Sequence, residues 1–145
     1  MFIYKGDMMQ LLSSSKYAIR ILGYIANHED QKLCSAKELS EALAIPYKFL
    51  TKIMMKLVNE NFIISIRGRE GGYKLSKPAS EITLTEILDL FNEFAEYQQC
   101  ILGIGACDNN KKCVLHDQWV KPKKMISKMF ETTTLADIDG ENFKL

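Results

Sequence analysis

The chain has little of what membrane proteins and enzymes require. No apolar run approaches the roughly 18 to 20 residues of a membrane-spanning helix. The opening Met1-Phe-Ile-Tyr-Lys-Gly-Asp7 has neither the long apolar core nor the small-residue cleavage site of an export signal. The expected compartment is therefore the cytoplasm, with no membrane partner. There is no Cys-x-x-Cys, no nucleotide loop and no paired acid/base constellation, which argues against an electron carrier, a thiol oxidoreductase or another enzyme. Histidine is scarce, with two in 145 residues, so a histidine beside cysteines carries information.

What is present is a hydrophobic content of 47%, enough for one compact core, and a net charge of +1 that is unevenly spread. Residues 1–80 carry 12 Lys and Arg against 7 Asp and Glu, whereas residues 81–145 carry 7 against 11. A basic front half suits a polyanionic partner, and the acidic remainder argues against a surface that binds nucleic acid everywhere.

Three of the four cysteines and one histidine crowd into Cys100-Ile-Leu-Gly-Ile-Gly-Ala-Cys107-Asp-Asn-Asn-Lys-Lys-Cys113-Val-Leu-His116. Thiolate and imidazole are soft to borderline donors that suit iron–sulfur clusters, zinc or copper, and two glycines with an Asp-Asn pair let such a loop fold back and converge its donors. In a reducing compartment clustered cysteines are more often metal ligands or redox centres than structural disulfides. Cys34, with no cysteine or histidine within five residues, reads as an ordinary small apolar side chain.

Residues 1–8 show no periodicity and read as a tail. Tyr17, Ala18, Ile21, Leu22 and Ile25 then recur at helical spacing, predicting a first helix from Ser15 to about Asn27, with Ser13 to Ser15 as its cap and His28 in a solvated turn. Ser35-Ala-Lys-Glu38 is a capping box that opens a second helix, with Leu39, Ala42 and Leu43 on its buried stripe and an end near Ala44, just before Ile45-Pro46. Pro46 fits the first position of a third helix. There Phe49, Leu50, Ile53, Met54 and Leu57 form the apolar face, while Lys48, Thr51, Lys52, Met55, Lys56 and Asn59 share the other. Two helices joined by a short turn, the second basic on its open side, have the form of a helix-turn-helix with a recognition helix.

Phe62 to Ile66 is β-rich, Arg67-Gly-Arg-Glu-Gly-Gly72 is a glycine turn, and Tyr73 to Ser76 returns, so the segment reads as a β-hairpin, the wing of a winged helix. Arg67 and Arg69 at its tip would enter a minor groove or clamp phosphates. Thr83-Leu-Thr-Glu86 caps a packing helix that runs ahead of the cysteine loop. After the loop, Leu115, Trp119, Ile126, Met129, Phe130 and Leu135 recur at near-heptad spacing, as in a helix that docks on its own copy. Pro122 predicts a kink or a fresh helix start near Lys121. The fold expected is mainly α with a small β-hairpin: a winged helix-turn-helix over 9–80, a packing helix over 81–99, a cysteine-rich loop over 100–116 and a dimerisation helix over 117–138.

On these residues the chain resembles the Rrf-two family of bacterial winged-helix transcriptional regulators. The likeness spans residues 9–138 and rests on Ser15-Lys-Tyr-Ala18, Ile45 to Leu57, the Arg-Gly-x-x-Gly-Gly-Tyr wing, Ile82-Thr-Leu-Thr-Glu86, Thr134-Leu-Ala-Asp137 and the cysteine loop. The resemblance implies a homodimer on double-stranded operator DNA, usually a repressor, controlled by an iron–sulfur cluster held by Cys100, Cys107, Cys113 and His116. The first spacing of that set is one residue longer than is usual in the family branch with this histidine. In another branch a carboxylate near the first helix of the partner subunit can supply a ligand, and the matching position here is Lys16. A 2Fe-2S cluster is therefore favoured over 4Fe-4S. The resemblance also implies that Ser14, Lys16 and Tyr17 touch the DNA backbone, that Lys48, Thr51 and Lys52, with Lys56 on the same face, meet the major groove, and that Arg67, beside Arg69, enters the minor groove. Pro46 departs from the small polar residue often found at its position, so base preference is expected to differ.

Two other readings of the loop stay open on donor chemistry. The same three thiols and one imidazole suit structural zinc. They also suit a metal-free thiol redox switch in the same fold.

Overall fold

The computed structural model describes residues 11–28, 30 and 32–138. The tail assigned to residues 1–8 and the first two residues of the 9–80 module lie outside them. The elements in order are α1 (Ser13–His28), α2 (Ala36–Leu43), α3 (Tyr47–Asn59), β1 (Ile63–Ile66), β2 (Gly72–Leu75), α4 (Leu84–Asp89), α5 (Glu93–Tyr97) and α6 (His116–Thr132). Single 3-10 turns lie at Ala79–Glu81 and Leu135–Asp137. This is the expected winged helix-turn-helix followed by further helices. Among the described residues, no helix is long and apolar enough to cross a membrane.

The core sits where α1, α2 and α3 meet the hairpin and α4. Ile21, Leu22, Leu39, Leu50, Leu57 and Ile87 are all completely buried, and each such side chain contributes on the order of 1.5 to 3 kcal/mol relative to exposure. The turn between α2 and α3 is closed locally. Ala44 takes a left-handed conformation, φ 51°, and its amide returns to the α2 carbonyls. The Ser40 hydroxyl donates to the Ile45 carbonyl at 2.7 Å, and Arg20 of α1 donates to the Leu43 carbonyl, a cation at the negative end of α2. Pro46 lies one residue before the position expected of it, as the N-cap, and its carbonyl accepts from the Phe49 and Leu50 amides.

Several local expectations need correction. Ser13 to Ser15 form the first turn of α1 instead of capping it, and Ser15 is fully buried because the helix lies against the core from its start. His28 belongs to the last turn of α1, stacked on Tyr24 with ring centroids 4.0 Å apart. Ser35 caps α2 by accepting from the Glu38 amide at 3.1 Å, but the Glu38 carboxylate reaches Tyr24 and Lys32 instead of returning to Ser35, since those partners flank it. Ala42 is exposed, and Phe49 is 54% exposed, because the core-facing arc of α3 is filled by Leu50, Ile53, Met54 and Leu57. The 81–99 segment holds two short helices, and Asn92 between them takes φ 56°, which asparagine tolerates.

β1 and β2 pair antiparallel in the register Ile63↔Leu75 to Ile66↔Gly72. Cys34 extends the sheet by exchanging hydrogen bonds with Tyr73 at 3.2 and 2.8 Å, which fits its burial as a small apolar residue. Glycine is required at the wing base. A Cβ on Gly71 would collide with the Ile66 carbonyl oxygen, and one on Gly72 would come within 2.9 Å of the Cys34 carbonyl oxygen and the Leu33 Cβ.

α6 runs through Pro122 without a break, so a fresh start near Lys121 does not occur. The carbonyl that loses its partner is that of Gln118, an exposed residue. Of the expected α6 stripe only Phe130 and, just beyond, Leu135 are buried; Met129 is largely exposed. Beyond the helix the chain turns back onto its own domain, where the Leu84 amide donates to the Thr133 carbonyl and the Leu135 amide to the Ile82 carbonyl, both at 2.9 Å.

Candidate functional site

The loop between α5 and α6 is shaped by its own backbone. Gly103 and Gly105 take φ 69° and 100°, and a Gln99↔Ala106 bridge closes the first half of the loop. The Gly103 amide donates to the Cys100 carbonyl at 2.8 Å, and the Cys100 amide to the Gly105 carbonyl at 3.1 Å. In the second half, the Asp108 carboxylate accepts from the Asn110 amide at 2.8 Å, and Lys112 pairs with Asp117 at 2.8 Å across the start of α6. The Asp117 carboxyl is held below its ordinary value by that lysine.

These turns bring all four expected donors into one cavity of about 390 Å³ lined by Cys100, Cys107, Cys113 and His116 with Ile104, Lys111 and Lys112 among their neighbours. The donors stand as two pairs. The Sγ atoms of Cys100 and Cys113 are 3.4 Å apart, and the Cys107 Sγ is 3.5 Å from the His116 Nδ1. Among the described residues, no three of His, Cys, Asp and Glu converge on a point that one metal ion would occupy. Cys100 is 7% exposed and His116 only 3%. The Leu102 amide holds the Cys100 thiol below its ordinary value, with Cys113 and the Ile104 and Gly103 amides adding to it against burial. The hydrogen bond with Cys100, together with burial, pushes the Cys113 thiol up.

The loop is tied to both flanking helices. Trp119 Nε1 donates to the Gln99 carbonyl at 3.2 Å, Lys123 to the Gln98 carbonyl at 3.3 Å, and Gln98 to the Ser127 hydroxyl. Tyr97 and Phe130 pack with centroids 5.5 Å apart. At the first residue of α5, the Glu93 carboxylate, 3% exposed, accepts from the Leu12 amide at 2.8 Å, just ahead of α1. α5 therefore stands between the loop and the α1 N-terminus, where Ser14, Lys16 and Tyr17 lie half-buried. No sequence signal marks Glu93, and nothing in the spacing singles out Asn109, whose Oδ1 lies 2.9 Å from the His116 Nε2. The partner of the single tryptophan is a backbone carbonyl, which carries no residue-type signal in the sequence.

The second group of expected residues occupies a different surface. Lys48 and Lys52 project from the open side of α3, with Thr51 half-buried between them and its hydroxyl donating to the Lys48 carbonyl at 3.1 Å. Arg67 and Arg69 are exposed at the wing tip, where Gly68 takes φ 128°. Lys56 is exposed too, but its ammonium lies 5.6 Å from the centroid of the Phe91 ring, just beyond α4.

Residues 11–140 match the family model Rrf2 (Rrf-two), described as iron-dependent transcriptional regulator. An NsrR-named HTH-type transcriptional regulator of Oceanobacillus iheyensis is 33% identical over 131 residues, 90% of this chain and 89% of that one. An HTH-type transcriptional regulator of Aquifex aeolicus is 31% identical over 125 residues, 85% of this chain and 86% of that one. Among solved structures, CymR, the global cysteine regulator of B. subtilis, superimposes with a TM-score of 0.76 at 19% identity, covering 94% of this chain and all of that one. T. potens IscR follows at 0.71 and 19%, covering 94% and 93%. The oxidized form of Staphylococcus aureus CymR gives 0.70 and 23%, covering 90% and 99%.

Proposed function

This chain belongs to the Rrf2 family of transcriptional regulators, which are not enzymes, and from that premise we propose that it is a cytoplasmic, homodimeric repressor whose grip on operator DNA depends on an iron–sulfur cluster. The observation that carries the proposal is the cavity in which Cys100, Cys107, Cys113 and His116 meet as two pairs. Two thiolates on one tetrahedral metal ion stand about 3.8 Å apart, so each pair has the reach to serve one iron. A 2Fe-2S core fits this division better than a single zinc ion does, and 4Fe-4S is the second choice. When bound, such a cluster would cross-link the loop to the start of α6 and add a centre open to redox chemistry.

In this reading residues 9–80 read DNA, 81–99 pack, 100–116 hold the cluster and 117–138 dimerise. Ser14, Lys16 and Tyr17 meet the DNA backbone, Lys48, Thr51 and Lys52 the major groove, and Arg67 and Arg69 the minor groove. Lys56, over the Phe91 ring, is the weakest member of that set. The protein's own residues supply the coupling. Trp119, Lys123 and Ser127 of α6 hold the chain just before Cys100, and Glu93 of α5 holds the backbone just before α1. A change in the loop is thereby passed toward both the dimer helix and the DNA-facing end of α1. The two recognition helices of a dimer must match half-sites about 34 Å apart, so a coupling of about 1 to 3 kcal/mol, roughly 5- to 150-fold in affinity, is enough for regulation.

The test is anaerobic purification with iron and sulfide analysis, followed by footprinting of cluster-loaded and cluster-free protein on genomic DNA. Coloured protein with matched iron and sulfide, and footprints that differ between the forms, are expected. Colourless protein that takes up neither element on reconstitution would sink the cluster claim.

One observation favours a second reading, a metal-free thiol switch. Cys100 and Cys113 stand with their Sγ atoms 3.4 Å apart, and a structural neighbour, CymR of S. aureus, has been solved in an oxidized form. Hydrogen peroxide would take two electrons and two protons from the two thiols, leaving one S–S bond and two waters. Mass spectrometry of peroxide-treated, iron-free protein decides it: without a Cys100–Cys113 cross-link this reading fails.

A further inference from the structure

Resting on the cluster reading of the loop, we propose that Asn109 is a positioning residue that sets the tautomer of His116, so that Nδ1 and not Nε2 is the nitrogen offered to the cavity. The His116 ring is almost wholly buried, with Nδ1 3.5 Å from the Cys107 Sγ and Nε2 2.9 Å from the Asn109 Oδ1. A neutral imidazole carries one proton, and an amide oxygen only accepts. The Asn109 contact therefore places that proton on Nε2 and leaves the Nδ1 lone pair directed toward Cys107. Metal-binding histidines commonly hand their second N–H to such an acceptor, which orients the ring and raises its basicity.

Asn109 is itself held in place. The Asp108 carboxylate accepts from the Asn110 amide, bracketing Asn109 in a tight turn, while the His116 amide donates to the Cys113 carbonyl at 3.1 Å and Lys112 ties the loop to Asp117. The residues on either side of Asn109 and the backbone of His116 are therefore held by short-range hydrogen bonds. The other histidine is a built-in contrast. His28 Nδ1 lies 2.8 Å from the Tyr24 carbonyl oxygen, so its proton sits on Nδ1 when the ring is neutral.

The first experiment needs no iron. Long-range proton–nitrogen correlation spectra of the full-length, iron-free protein, at a pH where both rings are neutral, should give the Nε2–H form for His116 and the Nδ1–H form for His28. Asn109→Ala should collapse the His116 preference to a mixture while His28 stays unchanged, and Asn109→Asp, which keeps an acceptor, should restore it. An Nδ1–H form at His116, or a preference untouched by Asn109→Ala, overturns the proposal. The second experiment uses reconstituted protein, where Asn109→Ala should release iron to a chelator about 10- to 100-fold faster than wild type, with Asn109→Asp near wild type. Equal release rates also overturn it. Wild-type protein that never takes up iron defeats the cluster reading instead, and the tautomer measurement still decides the role of Asn109. Because Asn109 is exposed, both variants should fold, as circular dichroism can verify.

Discussion

Trp119 Nε1 donates to the backbone carbonyl of Gln99 at 3.2 Å, so the first turn of α6 is pinned to the residue that precedes Cys100. Trp119 is the protein's single tryptophan, which makes it a reporter of the loop. Its fluorescence should fall on cluster assembly under anaerobic conditions and recover on iron removal. Trp119→Phe keeps most of the packing and loses the bond, at an expected cost of about 1 kcal/mol. Hydrogen exchange at residues 98–108 should be faster in that variant, and unchanged exchange would argue that the tie is idle.

The open face of α3 and the wing tip give separable DNA predictions. Lys52→Ala and Arg67→Ala should each weaken operator binding by about 1 to 3 kcal/mol if they meet bases, and each should lower the salt slope by about 1 if they meet phosphates. Neither residue lies near the cysteine cavity, so iron and sulfide content should be that of wild type. Lys56→Ala should have the smallest effect of the three, because its ammonium sits over Phe91. Fluorescence anisotropy at several salt concentrations checks all three.

At the wing base, Gly72→Ala should destabilise the protein by about 1 to 3 kcal/mol, the range for overpacking a close contact. The added methyl would meet the Cys34 carbonyl oxygen and the Leu33 Cβ. Urea denaturation reads the cost, and a midpoint equal to wild type would mean that the backbone at Cys34 moves aside freely.

Glu86 provides the pH dependence. Burial alone would raise its carboxyl, but hydrogen bonds from Lys77 and from the Thr83 amide outweigh burial and hold it below its ordinary value of 4.5. A depressed carboxyl stabilises the fold above that ordinary value, and the contribution is lost as pH falls through the folded-state value. Glu86→Gln should therefore cost about 1 kcal/mol at neutral pH, as expected for a capping interaction on a partly exposed site. The gap to wild type should close in acid, as pH falls from 4.5 through the lowered folded-state value. Thermal melts across pH 3 to 7 test it; a gap that persists in acid would assign the loss to packing instead.

The legible parts of the fold share one property, which is that few residues close them. Thr83 and Glu86 form the expected box within one turn, with the Thr83 amide 2.8 Å from the Glu86 carboxylate, and the wing glycines sit where the turn demands them. The misreadings arise where a distant partner decides. Glu38 turns to Lys32 and Tyr24 instead of its own cap, and α4 and α5 part at Asn92 where a single helix was expected. Phe49 carries an apolar side chain at helical spacing, yet faces solvent because the core arc of α3 is already filled.

The same division runs through the site. The sequence by itself determined the family, the winged helix-turn-helix and which soft donors crowd into the 100–116 loop, because residue type, spacing and turn chemistry are local properties of the chain. Only the tertiary structure decided how those donors group. Cys113 pairs with Cys100 and His116 with Cys107 because Gly103, Gly105 and the Asp108 turn fold the loop onto the start of α6. It also decided that Asn109 meets the free edge of the His116 ring and that a buried Glu93 links α5 to α1. Those relationships depend on the direction in which separate segments return through space, and spacing along a chain does not carry that direction.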